Sequence, residues 1–405
     1  MLAAAVLGFV GCTTPVATTD APTPTATPPA ASPSVGEETA LPTPTSVESP
    51  PAVGQEVCSA LVDRLTPEDR IGQLFMVGKT STEPVGEDYR RMLTESRAGH
   101  VVLLGNSRDG TAGIKELTDN LRRAATETEG IGLFVAVDQE GGAVQRLKGP
   151  GFDNMPAARV QANRPLPELQ RSAQHWARQL SAAGVDVNLA PVADIVPADH
   201  VADNAPIGQL ERHYGETLDE VGPRVEAVVR GLDEAGLASS LKHFPGLGRV
   251  AGNTDFTGNV ADNAIGRRDA GLAAFRVGID AGADMVMIAT ASYERIDPGV
   301  PAAFSAVVID RMLRGDMGFT GVVISDDLGA AQQVADIPPG ERAVRFLAAG
   351  GDIVINGDAG LQSEMTQAVR DRAAADPEFN EEIKAKATRV LIMKANRGAV
   401  SCLPS

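Results

Sequence analysis

Apolar runs and amphipathic segments alternate along the chain from residue 59 onward. The amphipathic segments, such as GIKELTDNLRRAATET and PELQRSAQHWARQLSAAG, carry apolar residues at the spacing of one helix face. The apolar runs are nearly continuous, which is typical of parallel strands that are buried on both faces. Eight of them are predicted strands, at residues 74–78, 99–105, 132–138, 185–194, 237–244, 284–290, 321–327 and 351–357.

Eight strand–helix units favour one kind of α/β fold. They predict a single (β/α)8 barrel of the TIM type, in which each strand is followed by a helix that packs outside it. The alternative is a doubly wound open sheet. That arrangement is disfavoured because no GxGxxG sequence follows the first predicted strand.

Charged residues stand where several of the predicted strands end. They are Asp138 after strand three, Asp194 after strand four, Lys242 and His243 after strand five, and Asp326 and Asp327 after strand seven. The C-terminal ends of barrel strands form the mouth that holds active sites, so we expect these side chains to converge. Carboxylates beside cations are typical of glycoside hydrolysis, in which one carboxylate attacks the sugar and a second group protonates the leaving oxygen. The sequence has neither zinc-type ligand spacing nor a GxSxG elbow.

The N-terminal 55 residues differ in character from the rest. Residues 1–12 contain a short apolar segment, LAAAVLGFVGC, which cannot span a bilayer as a helix and ends at Cys12. Residues 13–55 are rich in Pro, Thr and Ala, a composition that cannot bury a core and predicts a disordered tether. The apolar segment is similar to a bacterial lipoprotein signal with Cys12 as the lipidated residue. An ordinary cleaved signal peptide is the alternative.

The net charge and the cysteine content indicate which kinds of binding partner to exclude and which redox environment the protein meets. The formal net charge is −17 and no basic run is present, so nucleic-acid binding is not expected. Besides Cys12 the chain has Cys58 and Cys402, near the two ends of the predicted domain. An exported protein meets oxidising conditions, so we expect these two residues to form a disulfide. Two buried thiols are the alternative.

Five stretches of the predicted domain occur in order along the chain: IGQLFMVG, VAVDQEGGAVQRL, VNLAPVADI, KHFPGLG and GFTGVVISDDLGA. Together they resemble glycoside hydrolase family 3, in its single-domain β-N-acetylhexosaminidase branch of the actinobacterial lipoprotein type. The resemblance covers roughly residues 60–395, and the KHFPGxG and SDDL motifs are specific in combination but weak singly. It implies that residues 56–405 form a catalytic (β/α)8 domain.

The resemblance also implies roles for individual residues. Asp326, the first Asp of SDD, matches the family's nucleophile, and nearby cations are expected to lower its pKa and keep it ionised. Asp327 is expected to cap the helix that follows strand seven. The segment NAPIGQLERHYG is two residues longer than the family's motif, which leaves Arg212 as its ligand arginine. The sugar-binding positions match Asp138, Arg146, Arg212, Lys242 and His243.

The loop after KHFPGLG departs from the family pattern. The family's proton donor there is a His, oriented by an Asp two residues earlier, whereas this chain has Asp255 and Asn253. A carboxyl can act as general acid where its surroundings raise its pKa, and a neutral amide can hydrogen-bond it without repulsion. Asp255 is therefore the predicted acid/base. The alternatives are Asp262 as the acid, or a loop that has lost its acid; Thr290 also replaces a family His.

The residues and the resemblance together predict an exported enzyme. The predicted activity is that of a retaining β-N-acetylglucosaminidase, which cleaves GlcNAc-containing, peptidoglycan-derived fragments through a glycosyl-Asp326 intermediate. We expect a monomer without metal or nucleotide cofactor, either lipid-anchored on the outer face of the cell membrane or secreted. The alternatives are a β-glucosidase of the same family and a non-catalytic sugar-binding lipoprotein.

Overall fold

The computed structural model describes residues 52–126 and 128–402 of the chain. Cys12, the predicted signal segment and residues 13–51 of the predicted tether lie outside the described residues. The first helix, Ala52–Arg64, begins at residue 52 rather than at the predicted start of the domain, residue 56.

Eight parallel strands close into a barrel, so the predicted (β/α)8 fold is confirmed. Each strand pairs with its neighbours in sequence, and the eighth pairs with the first, where Phe75 lies opposite Val354. Each strand overlaps one of the predicted apolar runs. In chain order, β1 to β8 span Phe75–Thr80, His100–Leu104, Phe134–Val137, Val187–Asn188, Ala238–Phe244, Met285–Ile288, Val322–Asp327 and Ile353–Asn356.

Helices surround the barrel and cover its outer face. Strand residues such as Val101, Val135 and Ile324 are fully buried, which explains why the runs are apolar at nearly every position. Among the described residues no helix has the length and apolar character needed to cross a membrane. The α-helices are Ala52–Arg64, Pro67–Gly72, Glu87–Ser96, Gly110–Ala124, Ala158–Gln161, Leu166–Ala182, Leu218–Glu234, Ala273–Asp280, Pro339–Ala348, Gln362–Ala375 and Pro377–Asn396, with a π-helix at Val307–Asp316.

Two small sheets lie in the loops that follow the barrel strands, and the sequence predicted neither. Directly after β3, Gln139–Gly141 pairs antiparallel with Val144–Gln145. After β5, Ala261–Gly266 pairs in parallel with Ser292–Arg295, which follows β6. These sheets matter for the mouth because the first contains Glu140 and the second continues the loop that carries Asp255.

A disulfide joins the two ends of the folded domain. Cys58, in the first helix, is bonded to Cys402, and their Cα atoms are 4.8 Å apart. Both residues are buried. The helix that carries Cys58 packs against the last helix, Pro377–Asn396. The disulfide therefore links two parts of the chain that are also in contact through packing.

Candidate active site

The charged residues that end the barrel strands meet at one mouth. Lys242, in β5, donates from Nζ to Asp138, which follows β3. The next residue, His243, places Nδ1 2.8 Å from Oδ2 of Asp194, which follows β4. The charges of both His243 and Lys242 act on the carboxyl of Asp326 at the end of β7. The structure therefore brings together five of the strand-end residues identified in the sequence.

Lys242 is held between two carboxylates. Besides its hydrogen bond to Asp138, its Nζ lies 2.6 Å from Oε1 of Glu140. The side chain is almost fully buried, and burial by itself lowers the pKa of a lysine. The charges of Asp138 and Glu140 outweigh that effect, so the pKa of Lys242 is raised and the ammonium stays charged.

Glu140 and Arg212 form a bidentate ion pair beside this lysine. Arg212 donates from Nε to Oε2 of Glu140 at 2.8 Å and from Nη2 to Oε1 at 2.8 Å. A third bond runs from Arg212 Nη1 to the carbonyl of Pro206 at 2.8 Å. Burial raises the pKa of Glu140, but the charges of Arg212 and Lys242 outweigh it and hold that pKa well below its ordinary range. The pair places Arg212 at the mouth despite the longer loop that carries it.

Glu140 is the residue of this site that the sequence analysis missed. It lies in VDQEGG, two positions after Asp138, within the short hairpin that follows β3. In an extended chain, side chains two positions apart lie on the same face. A second acidic residue at that spacing from a strand-end Asp was the signal that could have identified Glu140.

His243 takes its orientation from Asp194. Besides the Nδ1 contact, Asp194 accepts hydrogen bonds from the backbone N–H groups of His243 at 3.2 Å and of Leu247 at 2.9 Å. Asp194 is fully buried. A carboxylate only accepts, so Nδ1 of His243 carries the proton of this bond. The other ring nitrogen, Nε2, is thereby directed to the mouth, where it lies 3.5 Å from Nη2 of Arg212.

Asp326 and Asp327 end the same strand with different surroundings. Asp327 Oδ1 accepts from the backbone N–H groups of Gly329 at 2.7 Å and Gly357 at 2.8 Å. Asp327 thus ties the turn after β7 to the end of β8, and these bonds take the place of the helix cap expected for it. Asp326 accepts one backbone hydrogen bond, from Asp327 at 2.9 Å.

The pKa of Asp326 is raised, so the expectation that nearby cations would lower it was wrong. Burial is the largest cause, and the negative charge of Asp255 adds to it. His243 and Lys242 act in the opposite direction without compensating for both. The reason is that loss of hydration destabilises a buried carboxylate more than Lys242 and His243 stabilise it.

Asp255 faces the same charged groups from the loop between β5 and the strand Ala261–Gly266. Asp255 is exposed, yet partial loss of hydration and the charge of Asp327 raise its pKa, while His243 and Arg212 oppose the rise. Asn253 accepts a hydrogen bond from the backbone N–H of Asp255 at 3.0 Å. The amide at 253 therefore shapes the turn, and the expected amide-to-carboxyl bond is replaced by this backbone bond.

Three further residues named in the sequence analysis, Arg146, Asp262 and Thr290, form none of the contacts described above. In the described parts of the chain, the Arg146 guanidinium forms no hydrogen bond or ion pair, and only its carbonyl accepts, from Ser107. Asp262 is 2% exposed, and its Oδ1 accepts from the backbone N–H groups of Ala264 at 2.7 Å and Ile265 at 2.6 Å. These bonds give Asp262 a structural role and make it a poor proton donor. Thr290, just after β6, is fully buried.

Comparison with protein families decides the identity of the barrel. The family model described as Glycosyl hydrolase family 3 N terminal domain matches residues 66–393. This chain belongs to glycosyl hydrolase family 3. The predicted family and the predicted class of enzyme are confirmed. A relative, the β-hexosaminidase of Xanthomonas oryzae pv. oryzae (strain KACC10331 / KXO85), is 34% identical over 310 residues, which cover 74% of this chain and 88% of that protein.

Two solved structures are similar to this barrel along most of its length. The β-N-acetylhexosaminidase from Beutenbergia cavernae DSM 12333 is 42% identical with a TM-score of 0.80, and the match covers 82% of this chain and 99% of that one. The family 3 β-N-acetylglucosaminidase from Paenibacillus sp. str. FPU-7 is 29% identical with a TM-score of 0.74, over 83% of this chain and 63% of that one.

Proposed function

We propose that this family 3 protein is a retaining β-N-acetylglucosaminidase that cleaves GlcNAc-containing, peptidoglycan-derived fragments. The observation that carries the proposal is the pair of carboxyl groups at the mouth: the negative charge of Asp255 helps to raise the pKa of Asp326, and the pKa of Asp255 is itself raised. The activity of the relatives named β-hexosaminidase and β-N-acetylglucosaminidase supports the choice of sugar.

Asp326 and Asp255 are assigned the two halves of the reaction. The ionised Asp326 attacks the anomeric carbon, while Asp255 donates its proton to the glycosidic oxygen as that bond breaks. The aglycone leaves as an alcohol, and the sugar is bound to Asp326 as an ester. Asp255, now ionised, accepts a proton from water, whose oxygen attacks the anomeric carbon and releases the sugar with the original configuration.

The raised pKa values suit this division of the two carboxyls. Two carboxyl groups whose negative charges repel each other do not readily both ionise, so one retains a proton as the other becomes an anion. His243 and Lys242 favour the anion on Asp326. Asp327 and Asp138 favour the protonated form of Asp255, the form that a general acid requires.

The buried ion pairs provide the sugar-binding groups. Lys242 and Arg212 are charged donors, and Asp138 and Glu140 are charged acceptors, so the four together can hydrogen-bond several hydroxyl groups of one sugar ring. Their mutual contacts fix their positions before a sugar arrives. Such pre-organisation reduces the entropy lost on binding.

We also propose that the enzyme is exported and held at the outer face of the cell membrane by a lipid on Cys12. The apolar segment that ends at Cys12 and the composition of residues 13–51 support this location. The disulfide between Cys58 and Cys402 is consistent with an oxidising compartment. Secretion after ordinary signal cleavage is the alternative.

One assay separates the proposed function from its competitors. Aryl β-N-acetylglucosaminide and aryl β-glucoside are each offered to the purified protein, and release of the phenol is followed. We expect kcat/KM to be much larger for the N-acetylglucosaminide. A preference for the glucoside would make the protein a β-glucosidase. Binding of N-acetylglucosamine without turnover of either substrate would make it a sugar-binding protein.

A further inference from the structure

The loop that carries Asp255 is hydrogen-bonded to a segment on a different loop, the one that follows the nucleophile strand β7. That segment is the short 3-10 helix Gln332–Val334. The backbone N–H of Gln332 donates to the carbonyl of Asp255 at 3.2 Å, and the N–H of Gln333 donates to the carbonyl of Thr254 at 3.1 Å. The loop of Asp255 and the loop after Asp326 are therefore joined directly.

The side chain of Gln333 holds the other end of the same loop. Its Oε1 accepts from the backbone N–H of Val260 at 2.7 Å, and its Nε2 donates to the carbonyl of Val260 at 3.1 Å. Together with the backbone bonds, four hydrogen bonds fix residues 254 and 255 at one end and residue 260 at the other. One glutamine supplies three of the four.

Within the loop, Asn253 accepts hydrogen bonds from the backbone N–H groups of Asp255, Phe256 and Thr257. Residues 255–259 are all exposed, and Phe256 has 80% of its surface exposed, so burial of apolar surface contributes little to the loop's position. By contrast, Thr254 and Val260, where the bonds of Gln333 attach, are buried. Asn253 thus sets the local shape of the turn, whereas the hydrogen bonds from Gln332 and Gln333 fasten that turn to the loop that follows β7.

We propose, on the basis of the acid/base role assigned above to Asp255, that Gln333 is a positioning residue that holds Asp255 over the glycosidic oxygen. The amide acts through the loop backbone and does not touch the substrate. Asp255 then needs no rearrangement to reach the bond that breaks, and general acid catalysis depends on such placement within hydrogen-bond reach. The same link couples the position of the acid to the loop that follows the nucleophile.

The test compares two adjacent glutamines with different contacts. Gln333→Met keeps most of the side-chain volume and removes both hydrogen bonds to Val260. Gln332→Ala is the matched control because the Gln332 side chain is exposed, and the substitution keeps its backbone N–H. Steady-state kinetics are measured on N-acetylglucosaminides of a poor and an activated leaving group, together with the pH profile and the thermal midpoint.

We expect Gln333→Met to lower kcat for the poor leaving group by about tenfold. This corresponds to an activation free energy that is higher by roughly 1.4 kcal/mol, because Asp255 is no longer held in place. The activated substrate, which needs no proton, should change less than about twofold. The basic limb of the pH profile should move to lower pH, because a released Asp255 moves away from the negative charge of Asp327 and its pKa falls towards the ordinary value. Gln332→Ala should match the wild type in all three measurements.

The outcomes distinguish this proposal from the proposed function. If Asp255→Ala shows the leaving-group dependence of a lost acid but Gln333→Met behaves like Gln332→Ala, the positioning role is wrong and the acid/base assignment stands. If Asp255→Ala shows no such dependence, the acid/base role itself fails. Equal losses on both substrates in Gln333→Met, with a lowered thermal midpoint, would reduce Gln333 to a structural residue.

Discussion

Asp326 occupies a position that is costly for the folded protein. Its pKa is raised by burial and by Asp255, so the folded state binds this proton more tightly than the unfolded chain does. As pH rises above the unfolded-state pKa of about 3.9, ionisation of Asp326 therefore lowers the stability of the fold. A nucleophile held in such surroundings is typical of active sites, where function opposes stability.

The first prediction is that Asp326→Asn abolishes turnover and stabilises the protein. Loss of the nucleophile should lower kcat by about a thousandfold or more, because the covalent route needs that carboxylate. The thermal midpoint at neutral pH should rise, since an amide carries no charge to bury, and the gain should vanish below about pH 4. A 2-fluoro sugar should add its mass to the wild-type peptide that contains Asp326. Label on a different peptide would overturn the assignment.

The second prediction concerns Asp255 as the acid/base. Asp255→Ala should lower kcat for natural sugar fragments about a hundredfold or more, and should reduce release of an activated phenol far less. Azide should then restore turnover of the activated substrate as a glycosyl azide, because a small anion attacks without a base. Product analysis with and without azide gives the result. If azide rescues Asp262→Ala instead, the alternative acid is the correct one.

Phosphate provides an electrostatic check on the same residue. An ionised Asp255 repels a phosphate anion in the second step, whereas the histidine of the family pattern does not. We therefore expect wild-type turnover to gain little from added phosphate, with free sugar as the product. Ready formation of sugar 1-phosphate would contradict this account of Asp255.

The third prediction tests Glu140, the carboxylate between Lys242 and Arg212. Glu140→Gln leaves two buried cations with one fewer anion, so the free energy of unfolding should fall by about 3 kcal/mol. Because Lys242 and Arg212 also lose their orientation, kcat/KM should fall about tenfold or more. The matched control is Glu83→Gln, which removes an exposed partner of Lys79 and should change stability by less than about 1 kcal/mol. Equal effects in both variants would refute the structural importance of Glu140.

At the scale of elements, some residues of the site lie within barrel strands and others lie on the loops that follow the strands. Lys242, His243 and Asp326 lie within β5 and β7, where the barrel's hydrogen bonding fixes the backbone. Asp255 and Gln333 lie on loops that hydrogen-bond each other. The nucleophile and the sugar-binding pair are thus part of the barrel itself, while the acid depends on contacts between two loops.

The fourth prediction concerns the disulfide that joins the first and last helices. It closes a loop with a sequence separation of 344 residues, so a chain-entropy estimate allows about 5 kcal/mol and about 3 kcal/mol is expected in practice. Cys58→Ser combined with Cys402→Ser should lower the free energy of unfolding by that amount in urea. Because the mouth is formed by other elements, kcat should stay near the wild-type value. Free reaction of both cysteines with a thiol reagent in the unreduced, denatured wild type would refute the bond.

At the scale of the whole molecule, the fifth prediction is that Cys12 anchors the enzyme. Cys12→Ala should move the protein from the membrane fraction to the medium or the soluble fraction, because a thioether-linked lipid can form only at that cysteine. Cys58→Ser, which keeps Cys12, is the control and should stay with the membrane. Fractionation followed by immunoblotting gives the result. An unchanged membrane fraction in Cys12→Ala would contradict lipid attachment there.

The net charge of the whole chain differs in sign from the side chains that surround the carboxylates at the mouth. The chain carries a net charge of −17, yet the mouth gathers Lys242, Arg212 and His243 around its carboxylates. The sequence could not reveal this balance, because the partners come from different strands. Whether the pKa of Asp326 is raised or lowered depends on this balance of charge and burial. The expectation of a lowered pKa, drawn from the motif and neighbouring cations alone, was wrong.

The sequence by itself determined the barrel and most of its mouth. Strands buried on both faces require apolar residues at nearly every position, so eight such runs revealed the eight strands directly. In a parallel barrel all strands end at one face, so Asp138, Lys242, His243 and Asp326 could be placed together from their positions at strand ends. Both inferences depend on local periodicity and on one rule of topology.

Only the tertiary structure decided which of these groups bond and how their protons are held. The bidentate pair of Glu140 and Arg212 joins residues 72 positions apart, and Gln333 reaches Val260 across 73 positions. A periodic pattern reports local secondary structure and does not encode contacts between loops that are distant in the sequence. Loss of hydration and the approach of other carboxylates are likewise properties of the folded surroundings, which explains why the raised pKa values of Asp255 and Asp326 followed from the structure alone.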